Sequence, residues 1–276
     1  MTAGTFDITV FGARGSLPVS GPEYVRYGGG TMCIGMVCGD RPLVFDAGTG
    51  ILRAGPWLEA RSSGQADLFF THSHYDHVIG LPFFAPLYDA RRALQIWSGT
   101  APGHMGSEAI VDGIFSAPWF PVTRDACKAH LGYHDFTPGD TIDLGGGIMI
   151  RTAPLNHPGG ATGYRVEYGG RSAAIITDTE HEEGVLDANV LALIDGVDLF
   201  FYDACYTDAE LPKKRKFGHS TWQQAVRLAS AAGVARVGLI HHAPFRTDDQ
   251  VDEIERAAQA LLPGAFCAFD GQEISL

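Results

Sequence analysis

His72-Ser73-His74-Tyr75-Asp76-His77 places three imidazoles and a carboxylate within six consecutive positions, directly after the apolar run Leu68-Phe69-Phe70. Neutral imidazole and carboxylate are the ligands that zinc and similar divalent metals accept in water-exposed sites. Read as an extended segment, the chain alternates faces, so that His72, His74 and Asp76 project to one side and His77 to the other. One loop can then address two neighbouring cations. Purely structural histidines are the competing reading, but four polar groups at a strand end with no apolar interruption are a poor filling for a core.

Two ions need more ligands than this loop supplies. His157 follows the strand-like Ile148 to Thr152, Asp178 ends Ile175-Ile176-Thr177, and His241 ends Leu239-Ile240. Each stands where loops of a rigid scaffold converge. His242 would face away from His241 if the strand continues, so only one of the two should reach a metal. His104, His130, His134 and His181 lack partners at ligand spacing and are expected to be surface or satisfied structural residues.

The H-x-H-x-D-H motif with these later residues resembles the metallo-β-lactamase superfamily, from about Phe6 to the C-terminus. The resemblance implies a four-layer αββα sandwich of the α/β class and assigns the ligands. His72, His74 and His157 would hold the first metal, Asp76, His77 and His241 the second, and Asp178 would bridge both. Two divalent cations are implied, zinc first, with Mn2+ or Fe2+ as alternatives. Asp46, in Val44-Phe45-Asp46-Ala47-Gly48, matches a family element that supports the histidine loop.

Gly218-His219-Ser220-Thr221, with Leu239-Ile240-His241-His242-Ala243-Pro244, is similar to the phosphodiesterase branch of that superfamily. The branch includes ribonuclease Z-type and phosphoribosyl cyclic phosphodiesterase enzymes. In it the histidine of H-S-T donates a proton, which makes His219 the expected general acid. Ser220-Thr221-Trp222-Gln223 reads as a capping box with Ser220 at the cap, setting His219 beside a helix N-terminus suited to an anionic substrate; a plain surface histidine beside a cap is the alternative. Asp203 is a candidate partner that orients His219 and keeps it protonated, or else a structural carboxylate. Asp76 joins His219 and Asp203 among the catalytic candidates. The run Lys213-Lys214-Arg215-Lys216 reads either as a solvated loop or as a flexible segment meeting substrate phosphate. Phe83, Phe84, Trp119 and Phe120 are candidates for an apolar wall over the site, with a plain core role as the simpler account of each.

The expected reaction is hydrolysis of a small or cyclic phosphodiester by a hydroxide bridging two cations about 3.5 to 4 Å apart, with His219 protonating the leaving alkoxide. A lactonase or thioesterase on the same scaffold is the nearest rival, and a low-turnover metal-binding sensory protein the rival from another class. A di-iron oxygen- or nitric-oxide-reducing role fits less well, because that branch generally carries Glu where His74 stands. Only twenty residues separate His157 from Asp178, where ribonuclease Z enzymes insert a long tRNA-binding arm. With a formal charge of −12 over 276 residues, this leads to the expectation of a small anionic substrate, with no nucleic-acid duplex, tRNA or membrane as partner. A homodimer is expected from family habit alone.

The elements that must position these groups are those of one compact domain, residues 1–276, with 45% hydrophobic and 19% charged residues. Five scattered cysteines, none in C-x-x-C, signal neither a disulfide framework nor a zinc ribbon. The start from Met1 to Val10 lacks a basic region followed by a long apolar stretch, and a cytoplasmic protein is expected. Strands are predicted at Phe6 to Phe11, Met32 to Cys38, Leu43 to Asp46 and Leu68 to Phe70, and a second series at Leu94 to Trp97, Ile148 to Thr152, Tyr164 to Tyr168, Ala173 to Thr177 and Leu199 to Tyr202, with Val237 to Ile240 between two closing helices. Helices are predicted from Leu81 to Leu94, Ser220 to Ala232 with a stop at Gly233, and Asp249 to Leu262. Gly145-Gly146-Gly147 reads as a turn. Two sheets packed face to face with helices outside accommodate this order.

Overall fold

Alternation within single strands dictates the layering. In β4 (Gln65–Phe70), Phe69 points into a cluster shared with the other sheet, while Leu68 and Phe70 point into a second cluster under helices. In β11 (Leu199–Asp203), Leu199 and Phe201 face the same shared cluster and Phe200 and Tyr202 face outward, again under helices. Strands apolar on both faces must be covered on both faces, which produces helix, sheet, sheet, helix. Burying each such Leu or Phe is worth roughly 1.5–3 kcal/mol. The computed structural model describes residues 5–61, 64–100 and 105–276.

The first sheet runs β14-β1-β2-β3-β4-β5-β6. It comprises β1 (Phe6–Gly12), β2 (Cys33–Cys38), β3 (Arg41–Phe45), β4, β5 (Ala93–Gly99), β6 (His130–Phe136) and β14 (Gln272–Ser275). Its β3 to β6 portion is parallel and the remainder antiparallel. The second sheet runs β13-β12-β11-β10-β9-β8-β7, from β7 (Thr141–Gly145), β8 (Ile148–Leu155), β9 (Ala161–Tyr168), β10 (Arg171–Ile176), β11, β12 (Val237–Ile240) and β13 (Ala265–Cys267). Here β10 to β13 are parallel. Helices α1 (Ile51–Arg61) and α3 (Ser107–Ile114) cover the first sheet. The second is covered by α4 (Ala188–Ile194), α5 (Trp222–Ala232) and α6 (Asp248–Leu261). Among the described residues, no helix is long and apolar enough to cross a membrane.

Between the sheets, Phe45, Phe69 and Tyr164 form an aromatic contact, with Phe45 and Phe69 stacked at 5.1 Å. The buried Tyr164 hydroxyl donates to the carbonyl of Phe70 at 2.6 Å. This bond satisfies a polar group and pins the end of β4, where the histidine loop begins, to the opposite sheet.

The helix expected from Leu81 to Leu94 does not form. Pro82 and Pro86 break the segment into 3-10 turns at Leu81–Phe83 and Ala85–Tyr88. Leu94 already lies in β5, which belongs to the first sheet rather than to a second series. Gly146 and Gly147 form the β7–β8 turn, both with left-handed backbone. His104 lies outside the described residues, as do the first four residues of the chain.

Candidate metal centre

The carboxyl ends of β4, β8, β10, β11 and β12 lead, within three residues, to Thr71 and His72, His157, Asp178, Asp203 and His241. Strand ends on two packed sheets are rigid supports, and side chains leaving them at one edge must meet. The chain stays extended only to His74, which caps a helical turn, α2 (Tyr75–Val78). Alternation of faces therefore stops there, contrary to the expectation for the whole loop. The helical turn sends Asp76 away from His72 and His74 and sets it beside His77.

Three overlapping groups of potential ligands result among the described residues; one of them, Asp178, Asp203, His219 and His241, holds the His219–Asp203 pair, and the other two divide the histidine loop. In the first of these two, ligand atoms of His72, His74, His157 and Asp178 all lie within 4.8 Å of one another; in the second, those of Asp76, His77 and His241 do so. Asp178 lies between them. Its Oδ2 is 3.6 Å from Nε2 of His72 and of His157, while its Oδ1 is 3.2 Å from Nε2 of His77 and 3.3 Å from Nε2 of His241. One carboxylate thus presents one oxygen to each group.

The surrounding contacts fix these orientations. Asp46 Oδ2 lies 2.8 Å from His77 Nδ1 and, through Oδ1, accepts from the Thr71 backbone N–H at 2.8 Å. This sets the His77 tautomer so that Nε2 faces Asp178. The Gly218 carbonyl does the same for His157 through its Nδ1 at 2.8 Å. A Cβ on Gly218 would come within 2.3 Å of that ring, so glycine is required there. Asp46, Asp178 and His241 all hold left-handed backbone, φ 62°, 56° and 63°. For non-glycine residues this costs on the order of 1–3 kcal/mol each, and it persists where the surroundings over-determine the site.

Sequence reasoning passed over one contributing loop, Gly15-Ser16. The Ser16 N–H donates to Asp76 Oδ2 at 2.7 Å, and Gly15 packs so close to His241 that a Cβ would lie 2.1 Å from its ring. The glycines in Gly12-Ala13-Arg14-Gly15-Ser16, directly after β1, were the available signal for a close backbone approach.

Electrostatics match the geometry. Burial opposes charge on Asp178, yet the imidazoles of His241, His77 and His72 hold its carboxyl well below the usual range. Burial likewise opposes charge on His241, and Asp178 and Asp76 carry it up to about 9. His72 moves the other way, depressed by burial and by neighbouring His77. Nε2 of His72 and Nε2 of His77 are buried with no hydrogen bond of acceptable geometry, and His157 Nε2 and His74 Nδ1 approach to 3.0 Å. Buried nitrogens converging with carboxylate oxygens, lone pairs unspent, are what a divalent cation requires, and the donor set of imidazoles and carboxylates suits it chemically. The residues fit a metal.

His219 Nδ1 is 3.0 Å from Asp203 Oδ2, and its ring stacks on His241 with centroids 4.6 Å apart. The helix cap following it is Thr221, whose hydroxyl accepts from the Gln224 N–H at 3.1 Å. Ser220, expected as the cap, instead places its hydroxyl 2.7 Å from His181 Nδ1 and 3.1 Å from the Tyr202 hydroxyl. His181 is thereby a satisfied structural histidine, as are His134, on Gln95 and stacked over Trp97, and His242, whose Nε2 reaches the Ala268 carbonyl. Phe84 belongs to the core beneath α1 and α3; Phe83 and Phe120 pack on each other, and Trp119 is exposed. A cleft beside His72 and His74 is lined by Ser98, Met105, Pro158 and Gly159 rather than by these rings.

Residues 41–242 match the family described as the beta-lactamase superfamily domain. The chain belongs to that family, and with this fold and this His/Asp centre it is a metal-dependent hydrolase. It is similar to a protein named Ribonuclease Z from Exiguobacterium sp., 23% identical over 84% of this chain and 89% of the relative. Among solved structures it resembles a diphosphatase from the PhnP family (TM-score 0.71, 20% identity, 99% of this chain and 97% of that one). It also resembles human tRNase Z, short form (TM-score 0.65, 20% identity, 97% and 98%).

The likeness to Ribonuclease Z along most of both chains overturns the expectation that tRNA is excluded as a partner. That expectation rested on one loop length and on total charge. A loop length describes only that loop, and total charge averages away local cations such as the Lys213 to Lys216 run.

Proposed function

We propose that this chain is a phosphodiesterase, acting on a small or cyclic phosphodiester, in which His219 is the general acid. The observation that carries this reading is the His219–Asp203 pair beside the ligand cluster. A buried imidazole held by a carboxylate at 3.0 Å is an equipped proton donor, whereas simple metal binding needs none. In this reading His72, His74 and His157 would hold one ion and Asp76, His77 and His241 a second, with Asp178 shared between them, zinc the first candidate and Mn2+ or Fe2+ the alternatives. When bound, such ions supply an activated water near neutral pH and neutralise charge on the phosphoryl oxygens.

The protein's own groups do the remaining work. Asp203 accepts from Nδ1 of His219, which fixes the ring and leaves Nε2 to carry the transferable proton. Burial alone would drive that proton off, but Asp203 raises the pKa to about 9, so the imidazolium is present at neutral pH. Transfer to the departing alkoxide contributes roughly 10² to 10⁴ in rate. A lactonase or thioesterase is the second reading, and a thiolate leaving group would need such a donor less. We take residues 1–276 as one hydrolase domain, supported by the pairing of β14 with β1, and as cytoplasmic, supported by five unpaired cysteines.

The test is turnover of bis(p-nitrophenyl) phosphate, cyclic nucleotides, an RNA with a 3′ extension, a lactone and a thioester, with bound metal quantified. Phosphodiesters should be cleaved fastest. On the cyclic nucleotides and the RNA, whose leaving group is an alkoxide, His219→Ala should lose about 10² to 10⁴ in kcat with metal content unchanged. Faster carboxylic-ester cleavage, or full activity of His219→Ala on those alkoxide-leaving diesters, would refute the proposal.

A further inference from the structure

The four cations from Lys213 to Lys216 do different things. Arg215 turns inward, donating to the His181 carbonyl at 2.7 Å and lying 3.8 Å from Glu183. Lys213 and Lys216 are exposed. Lys214 is half-buried, and its ammonium lies 5.9, 5.6 and 5.9 Å from the ring centroids of Tyr206, Phe217 and Phe245. It forms no ion pair with a carboxylate among the described residues, although the chain carries 32 acidic groups against 20 basic ones. Three aromatic faces attract a cation through their quadrupoles without cancelling its charge. The ammonium is thus held in place while its full charge remains available to an incoming anion.

The rings are placed just as tellingly. Phe217 and Phe245 are 60% and 54% exposed, so two phenyl faces are left in water at one spot, forgoing the burial that core rings obtain. They stand on the two loops that carry site residues: Phe217 two positions before His219, Phe245 four positions after His241. Tyr206 connects the cluster to the centre, its ring 5.9 Å from the Lys214 ammonium and 5.9 Å from the His219 ring. Beneath lies a small separate core of Cys205, Tyr206, Leu211 and Ala243, which fixes the platform. Arg246 stacks against Phe245 at 5.7 Å while anchored on Glu210 at 2.7 Å, so that ring too is supported from behind.

We propose that Lys214, Phe217 and Phe245 form the subsite for the part of the substrate that does not react, and that this part is a nucleoside. The planar base stacks on the exposed phenyl faces, and the ammonium meets an anionic oxygen of the nucleotide. Base–aromatic stacking beside a cation is sequence-tolerant recognition of nucleic-acid components. This inference rests on the phosphodiesterase reading and makes it more specific.

Two chromogenic diesters with a common leaving group isolate the subsite: thymidine 5′-(p-nitrophenyl phosphate) and methyl p-nitrophenyl phosphate. The wild type should prefer the nucleoside ester. In Phe217→Ala, Phe245→Ala and Lys214→Gln the ratio of kcat/KM values for the two esters should fall about tenfold or more, mainly through KM, and Phe217→Trp should restore it. A ratio unchanged in all three variants would overturn the proposal. Turnover of neither ester by metal-loaded wild type would instead sink the phosphodiesterase reading, and the subsite is then judged by calorimetric binding of thymidine 5′-monophosphate. Binding that weakens about tenfold in Phe217→Ala supports it; equal or absent binding overturns it. A single-stranded oligonucleotide that competes more tightly than the mononucleotide assigns the base to an RNA or DNA end, and equal competition assigns it to a free nucleotide diester.

Discussion

His77 and His241 have no solvent exposure, whereas His74, in the other half of the centre, is exposed, its ring against the imidazoles of His72 and His157. The group of Asp76, His77 and His241 is held from behind by Asp46, by the Ser16 N–H and by the close approach of Gly15. The group of His72, His74 and His157 is held by the Thr71 hydroxyl, 3.1 Å from His72 Nδ1, and by the Gly218 carbonyl, and it opens on the cleft beside Pro158 and Gly159. One half is built for retention and the other for access. An ion in the enclosed half would be shielded from solvent by its supports, and one in the open half would be reached first from the cleft.

Asp178 is common to both halves, so its removal should erase the comparison. Asp178→Ala is expected to lose both ions and at least about 10³ in kcat, since removal of a shared buried charge uncouples several ligands at once. Elemental analysis with turnover checks this; retention of one full metal equivalent would show that the halves are independent. Asp46→Asn should act chiefly on the enclosed half, because the amide no longer accepts directly from His77, while the open half feels it only through the Thr71 hydroxyl that joins Asp46 to His72. Metal affinity there should fall about 10- to 100-fold, measured by competition with a chromophoric chelator. Equal weakening of both sites would break the assignment of Asp46 to one half.

Much of this division was legible in the residues. Every histidine and aspartate expected at the centre is brought to it, because each followed an apolar strand and parallel strands deliver their carboxyl ends to one edge. The sorting of the loop was not legible. Alternation predicted His72, His74 and Asp76 on one side, and the turn at Tyr75–Val78 placed Asp76 with His77. Four residues are too few to announce a helix by periodicity. Edge strands such as β6 and β7, half-exposed and carrying His130, His134 and Asp143, also escaped, since one wet face weakens the apolar signal. The helix α1 escaped because Gly55 and Pro56 lie inside it. Gly15 announced itself only as a glycine at a strand end; the partner it must stay small for, the His241 ring more than two hundred positions away, leaves no local pattern.

That contact gives a subtler way to test the enclosed half. Gly15→Ala adds one methyl group 2.1 Å from the His241 ring, a separation real atoms do not tolerate, so the ring or the loop must shift. Gly15 donates its N–H to the His242 carbonyl at 3.0 Å, and His242 donates its own to Ala13 at 3.0 Å. The loop is therefore tied and the ring must give way. The expected result is weaker binding at the enclosed site with the open site near normal, seen as loss of one metal equivalent on mild dialysis.

The smallest effect belongs to the open half. Among the described residues His74 is exposed and meets only the His157 ring at its Nδ1, with no carboxylate or carbonyl bonded to it, so His74→Gln leaves no buried charge unpaired and should cost under about 1 kcal/mol of metal-free stability, in the range of surface substitutions. The same change removes one potential ligand from the group nearest the cleft, so an ion there should be stripped first by a chelator while one in the enclosed group remains. Thermal denaturation without metal and stepwise chelation with metal separate these two quantities. If His74→Gln destabilises the metal-free fold as much as His241→Gln, enclosure is not what distinguishes the halves, and the order in which the ions leave would have to be set by charge alone.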